Sequence, residues 1–103
     1  MVLAASDVDE IKIVGCAWHY YFEWNSKRYV YGFVPHPGNP SYSGCNTWNK
    51  LKSPNNSPAV DSMVDGLAHE IAESITDPYV DAWLYTKGNE IIENCDICAH
   101  NYG

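Results

Sequence analysis

The chain has 103 residues, of which 46% are apolar and 18% are charged, and its formal net charge is −7. This length and composition indicate one folded domain over residues 1–103 rather than a disordered chain. Six Lys and Arg against thirteen Asp and Glu argue against a surface for nucleic acid or anionic lipid, because both depend on basic side chains. No apolar run approaches the roughly 20 residues of a membrane span.

The first third of the chain predicts a small antiparallel sheet. Residues 2–5 and 11–14 are apolar, so both are predicted as short strands. Residues 19–24 and 28–34 are rich in aromatic side chains and flank a polar turn at residues 25–27, which predicts a β-hairpin. Its aromatic side chains either form a platform for sugar rings or pack across the strands as a small satellite core. These side chains are Trp18, Trp24, Tyr29 and Tyr31.

A long loop and then a helix follow the hairpin. Residues 35–58 hold five of the six prolines and show no periodic pattern, which predicts a long loop. The next segment repeats apolar residues at helical spacing, and this stripe is the side expected to face the core. Ser57 or Asp61 can cap the start of the helix, and Asp77-Pro78 ends it. The stripe consists of Val60, Val64, Leu67, Ala68, Ile71 and Ile75.

The last quarter of the chain completes an α+β fold. Trp83 is predicted to anchor the core beneath the helix. Residues 87–89 predict a turn, and residues 90–93 a brief strand or turn. The expected architecture is a small antiparallel sheet with an aromatic hairpin, a long loop and one long helix packed on the sheet.

The helix carries a candidate metal site on the side opposite its apolar stripe. His69 and Glu73 are four residues apart, so they project from the same face and can bind one metal ion. Glu70 follows His69 where the related H-E-x-x-H pattern places the general base that polarises metal-bound water. A solvated polar helix face would show the same residues, so both interpretations stay open. Gly66 on that side costs helix stability unless another segment approaches it, which favours a covered face.

The four cysteines favour disulfides and an oxidising, extracellular environment. A zinc site is the alternative, because Cys95 and Cys98 form a C-x2-C, although only isolated cysteines precede them. Pairing of Cys16 with Cys45 is preferred, since it ties the loop to the strand, and a bond from Cys98 to an upstream cysteine stays open. The first residues do not form a signal peptide, so a secreted protein would carry its signal upstream.

The second half of the sequence resembles the EXORDIUM-like, or phosphate-induced protein 1, family, and is also similar to microbial secreted proteins with a zincin-like helix. The resemblance rests on H-E-I-A-E-S-I-T-D-P at residues 69–78, on D-A-W at residues 81–83, and on E-N-C-D-I-C at residues 93–98. Upstream, C-A-W-H at residues 16–19 looks like the family's C-G-x-H, with Ala17 in place of Gly. Family members are longer at both ends, so the chain is expected to be an incomplete portion of a longer zincin-like domain.

The resemblance implies an extracellular protein, in plants one of the apoplast and of growth control. On the zincin interpretation His69 and Glu73 bind Zn²⁺, Glu70 is the base, and Asp96 is the third ligand. Asp77 is the alternative ligand, and Glu93 orients a ligand from outside the coordination sphere. His19 has two interpretations, a fourth ligand or substrate contact on one side and a structural role on the other.

Three functions are therefore expected, in this order. The first is a secreted metal-dependent hydrolase, a peptidase in the first place. The second is a non-enzymatic growth-signalling protein of the cell wall with a structural metal site. The third is a carbohydrate-binding module that uses the aromatic hairpin. The expected partner is an extracellular protein or a cell-wall polysaccharide, with no role for nucleic acid or membrane.

Overall fold

The computed structural model describes residues 1–8, 15–50 and 52–99 of the chain. The predicted strand at residues 11–14 lies outside these ranges. The predicted α+β class is confirmed: one long helix packs on a three-stranded sheet, and a second, two-stranded sheet follows the helix.

The aromatic hairpin is present as predicted and forms the centre of the sheet. Strands β2 (Trp18–Trp24) and β3 (Lys27–Val34) pair antiparallel, with Trp24 opposite Lys27. The two turn residues, Asn25 and Ser26, have φ of 50° and 59°. Positive φ at both central positions is the type I′ geometry whose twist matches that of the strands. Strand β1 (Val2–Leu3) pairs parallel with the other edge of β3, so the sheet order is β1-β3-β2.

The helix α1 spans Pro58–Thr76 and has the predicted ends. Pro58 occupies the first turn, where its missing N–H costs no hydrogen bond. Ser57 is the N-cap residue, although its side chain makes no capping hydrogen bond, and Asp61, the alternative cap, lies inside the first turn. At the other end the backbone N–H of Asp77 donates to the carbonyl of Glu73 at 2.6 Å, and the following proline prevents continuation.

The predicted orientation of α1 is wrong, because the helix packs through its polar side. Asp61, Ser62, Met63, Glu70 and Glu73 are buried, whereas most of the apolar stripe is exposed, up to 74% for Ile75. Gly66 gives one reason. A Cβ at this position would lie 3.4 Å from the Ala17 Cβ and 3.5 Å from Val34 Cγ1, so the missing side chain permits a close approach to the strands. The expectation that another segment covers the face bearing Gly66 is confirmed.

The predicted anchor under the helix is also wrong. Trp83 is 70% exposed and has a φ of 53°, so it lies in the turn after α1 rather than beneath the helix. Of the described residues, the buried apolar side chains are Phe33, Val34, Tyr42 and Met63. This small core is built from the end of β3, the proline-rich loop and the second turn of α1.

The loop at residues 35–58 contains two short 3-10 helices, Pro40–Cys45 and Thr47–Lys50, ahead of α1. A disulfide joins Cys16 to Cys45, with 5.2 Å between their Cα atoms, and confirms the preferred pairing. It therefore anchors the loop beside the start of β2, and it leaves Cys95 as a free thiol.

After α1, strands β4 (Tyr85–Lys87) and β5 (Glu90–Ile92) form a hairpin. Gly88 takes a φ of 65° at its turn, as the predicted turn at residues 87–89 requires. Within residues 1–8, 15–50 and 52–99, none of the helices combines the length and apolarity that crossing a bilayer demands.

Candidate metal centre

A cavity of about 340 Å³ lies between the buried side of α1, the start of β2 and the segment that follows β5. It is the meeting point of three distant parts of the chain. Helix α1 contributes His69, Glu70 and Glu73, strand β2 contributes His19, and the last segment contributes Glu93 and Asp96. None of the described residues that line it is Lys or Arg, so its charged groups are carboxylates and imidazoles.

Three of the predicted site residues meet at the Nε2 atom of His69. This nitrogen lies 3.2 Å from Glu73 Oε1 and 3.1 Å from Asp96 Oδ1. The helical spacing brings in Glu73, and the short 3-10 helix Asp96–Cys98 brings in Asp96. Glu73 is only 1% exposed, and its Oε1 atom accepts no hydrogen bond of adequate geometry. A buried carboxylate oxygen without a hydrogen bond is costly unless a cation compensates it, and here that cation is either the protonated His69 ring or a metal ion that replaces its proton.

Two of the three spacings among these atoms are close to those expected around one tetrahedral ion. Ligands at 2.0–2.1 Å from zinc lie about 3.3 Å apart in a tetrahedron. The two measured distances, 3.2 and 3.1 Å, are close to that value. One imidazole and two carboxylates form a donor set that zinc accepts, although each added carboxylate shifts the preference toward harder ions.

Burial and mutual contact shift the pKa values of the helix residues. The Glu73 carboxylate beside His69 raises the pKa of that imidazole to about 9, against the opposing effect of burial. Burial raises the pKa of Glu70 to about 7, and the nearby His19 partly opposes the shift. A carboxylate that titrates near neutral pH has the proton affinity that a general base requires.

His19 is the residue whose role the sequence did not settle, and the structure buries it in this cluster. Its Nε2 donates to the backbone carbonyl of Asp77 at 2.9 Å. Its Nδ1 lies 3.2 Å from Glu70 Oε2 and 3.6 Å from Glu73 Oε2. The signal in the sequence was the C-x-x-H spacing, because the Cys16 disulfide fixes the start of the strand that carries His19.

Asp77 and Glu93 lie on the His19 side of the cluster. Asp77 is fully buried, and its Oδ1 accepts hydrogen bonds from the backbone N–H groups of Asp81 and Ala82, which fixes the turn after α1. Glu93 Oε1 lies 3.9 Å from His19 Nε2. Burial raises the pKa of Glu93. Both residues therefore surround His19 rather than His69.

Similarity to known proteins identifies the family of the chain. All of residues 1–103 match the model of the phosphate-induced protein 1 conserved region. The chain belongs to the phosphate-induced protein 1 family. Over 55 residues it is 44% identical to the protein EXORDIUM-like 3 of Arabidopsis thaliana, a match that covers 52% of the chain and 16% of that relative. Over 65 residues it is 34% identical to EXORDIUM-like 5 of the same plant, covering 62% of the chain and 18% of that relative.

The family resemblance noted in the sequence is thus confirmed, but it brings no reaction with it. The chain spans less than a fifth of the length of either relative, and neither name states a ligand or an activity. No solved structure matches the chain. The chemistry of the site therefore depends on the side chains described above.

Proposed function

We propose that this chain is a metal-binding segment of an extracellular protein, and that it holds one Zn²⁺ through His69 Nε2, Glu73 Oε1 and Asp96 Oδ1. The observation that carries the proposal is the buried Glu73 oxygen, which lies 3.2 Å from an imidazole nitrogen yet accepts no hydrogen bond. A metal ion between these two atoms would bind both the imidazole nitrogen of His69 and the carboxylate oxygen of Glu73. The disulfide supports the extracellular location, since such bonds persist in oxidising compartments.

The proposal is tested by counting metal. Protein from a secretory host is washed with a weak chelator, loaded with zinc, and measured by mass spectrometry. We expect zinc to be lost from His69→Ala, Glu73→Gln and Asp96→Asn. Glu73→Gln keeps the shape of a buried side chain, so it separates ligation from packing. His36→Ala, in the proline-rich loop, is the matched histidine control and should retain zinc. Folded protein that takes up no zinc would refute the proposal.

The finer form of the proposal is a metal-dependent hydrolase, with Glu70 as the base. The ion, when bound, would lower the pKa of a coordinated water toward 7. Glu70 is buried beside His69, and its pKa of about 7 supports a role in taking up a proton. Glu70→Gln should abolish turnover of a peptide library but leave zinc bound between His69 and Glu73. Normal hydrolysis by this variant would exclude the mechanism.

The non-enzymatic alternative is a growth-signalling protein of the plant cell wall in which the ion is structural. Its support is membership of the phosphate-induced protein 1 family and similarity to two EXORDIUM-like proteins. A structural ion contributes to folding free energy, so chelation should lower the melting temperature and the helical circular dichroism, with no turnover at any metal load. An unchanged melting temperature in EDTA would contradict this alternative.

A second candidate function, binding of an uncharged cell-wall polysaccharide, is favoured by the exposed aromatic face of the hairpin. Trp24 is 65% exposed, and Tyr29 and Tyr31 on β3 are also exposed. Paired residues of an antiparallel sheet share a face, so Tyr31 lies beside Tyr20, and Tyr29 beside Phe22. Tryptophan fluorescence should be quenched by a wall polysaccharide in EDTA, and Trp24→Ala should reduce that quenching. Tyr85→Ala, an exposed tyrosine of the second sheet, is the control. If no wall polysaccharide quenches the tryptophan fluorescence of the unmodified protein, this function is excluded.

A further inference from the structure

The turn that leads into α1 carries an acceptor sequence for asparagine-linked glycosylation. Residues 55–57 read Asn-Asn-Ser, which is the N-x-S/T pattern with a residue other than proline in the middle. Asn55 is exposed, and the backbone N–H of Asn56 donates to the carbonyl of Ser53 at 3.2 Å, so the triplet lies in a turn at the surface. This is the setting in which such triplets are modified in secreted proteins.

A second triplet with the same first and last residues shows the contrast. Residues 39–41 read Asn-Pro-Ser, and proline in the middle position excludes the modification. Asn39 is only 5% exposed, and its Oδ1 accepts a hydrogen bond from the backbone N–H of Ser41 at the start of a 3-10 helix. The chain therefore contains its own matched control for an exposed acceptor at Asn55.

The hydrogen bonds of Asn55 are compatible with an attached sugar. Its Nδ2 donates to Asp61 Oδ1 at 2.6 Å, and its backbone N–H donates to Asp61 Oδ2 at 3.1 Å. The amide nitrogen carries two hydrogens, and attachment of a sugar replaces only one of them. The other hydrogen can keep the bond to Asp61, so the turn does not have to open.

A cleft of about 270 Å³ next to this amide offers a surface for the first sugar. Asn55 is one of the residues that line it, together with Trp48 and Pro54 from the loop and Val64 and Ala68 from α1. Val64 belongs to the apolar stripe and is 55% exposed. A pyranose ring has apolar C–H faces that pack against aromatic and aliphatic side chains, so a sugar on Asn55 would cover this end of the stripe.

We propose that Asn55 is an N-glycosylation site, and that the first sugar packs in the cleft against Val64 and Ala68. The inference rests on the extracellular location in the proposed function, because the sugar donor, a lipid-linked oligosaccharide, belongs to the secretory pathway. In the transfer, Asn55 Nδ2 forms a bond to C1 of the first sugar, and the bond between C1 and the lipid diphosphate breaks. The lipid diphosphate leaves, and a base of the transferring enzyme takes the amide proton.

Two neighbouring features affect this transfer. The reaction takes place on the chain as it enters the secretory pathway, before α1 is packed, so the hydrogen bond from Asn55 to Asp61 does not block it. Pro58 directly follows the triplet, outside the position from which proline is excluded. It slows transfer without preventing it, so we expect part of the chains to be modified.

The first test is the mass of the peptide that contains Asn55, in protein from a eukaryotic secretory host. We expect a glycan on this peptide and none on Asn39. Ser57→Ala should abolish the modification, Ser57→Thr should keep it, and Pro58→Ala should increase the modified fraction. Ser57 makes no side-chain capping hydrogen bond, so Ser57→Ala should retain the helical circular dichroism. Secreted protein in which Asn55 is unmodified would overturn the inference.

The second test concerns the packing of the sugar. After an endoglycosidase has trimmed the glycan to its first sugar, the methyl signals of Val64 and Ala68 in NMR spectra should differ from those of Ser57→Ala. Ile75 lies about 16 Å further along the helix than Val64, so its methyl signals should not differ. A sugar on Asn55 that leaves the signals of Val64 and Ala68 unchanged would overturn the packing.

Counting zinc in the same protein separates this inference from the proposed function. Bound zinc in secreted protein without a glycan overturns only the modification at Asn55. A glycan on Asn55 in folded protein that takes up no zinc overturns only the metal site.

Discussion

The orientation of α1 can be tested by shortening one side chain on each of its two sides. Met63 is 8% exposed and lies on the buried side, whereas Ile75 is 74% exposed and lies on the apolar stripe. Replacing a buried Met by Ala costs about 2–5 kcal/mol of unfolding free energy through lost burial and the cavity left behind. We expect Met63→Ala to lose at least 2 kcal/mol.

The effect of Ile75→Ala should be close to zero. Full burial of such a side chain is worth about 1.5–3 kcal/mol, and about a quarter of Ile75 is removed from water, so the loss is about 0.4–0.8 kcal/mol. The better helix propensity of Ala returns a few tenths of a kcal/mol. Urea unfolding followed by circular dichroism measures both variants. Equal losses in Ile75→Ala and Met63→Ala would mean that the helix packs through its apolar stripe, and would refute the arrangement of the metal centre as well.

Three further predictions concern the metal, the helix contact and the disulfide. His69 must lose its proton to bind zinc, and its pKa without metal is about 9. Zinc affinity should therefore rise about tenfold from pH 7 to 8 and less steeply as pH approaches 9, with about one proton released on binding at pH 7. Calorimetry in two buffers of different ionisation enthalpy measures the release, and no release at pH 7 would contradict the prediction. Gly66→Ala should change the free energy of unfolding by less than about 1 kcal/mol, because the gain in helix propensity offsets a tight contact. Gly66→Leu should lower it by about 1–3 kcal/mol, because the larger side chain overpacks the contact with the strands. Equal melting temperatures for the two variants would show that this helix face is open. The double variant Cys16→Ser, Cys45→Ser removes a disulfide that closes a loop of 29 residues. In the chain-entropy model this should lower the free energy of unfolding by about 3.6 kcal/mol, which urea unfolding measures. A decrease below about 1 kcal/mol would mean that other contacts hold the loop.

The elements of the fold were predictable where the signal is local. The turn at Asn25 and Ser26 uses residues that tolerate positive φ, and the aromatic residues on either side continue as strands. The start of α1 follows from Pro58, which is tolerated in the first turn of a helix. Its end follows from Asp77-Pro78, because the proline prevents a further helical turn. Each of these signals acts within a few residues, so no knowledge of the tertiary packing was needed.

The packing of α1 was not predictable from periodicity. The apolar stripe defines a side of the helix, but only the neighbouring elements decide which side is covered. Gly66 was the residue that indicated the covered side, because it allows the approach of Ala17 and Val34. Trp83 illustrates the same limit, since a large apolar residue after a helix is expected in the core but is found here in an exposed turn.

The candidate site was predictable only in part for the same reason. His69 and Glu73 are joined by helical geometry, so their proximity follows from sequence. His19 lies 51 residues before Glu70, and its place in the cluster depends on how the start of β2 packs against the helix. The rotation that exposes Ile75 is also the one that brings Glu70 and Glu73 to His19. The site and the unexpected orientation therefore have one structural cause.

The exposed stripe and the buried carboxylates together constrain what stabilises α1. Turning the helix about its axis would bury Val64, Ile71 and Ile75, each worth up to about 1.5–3 kcal/mol, and would return Glu70 and Glu73 to water. The observed orientation must therefore be stabilised by other interactions that offset the unburied apolar surface of these three side chains and the burial of the two carboxylates. Under the proposed function the ion does so, because a ligand at 1,000 times its Kd stabilises the state that binds it by about 4 kcal/mol. The disulfide restrains the loop next to the same contact. Metal binding and the packing of α1 are then one equilibrium, and removal of the ion weakens the contact between the helix and the sheet before it affects the hairpin.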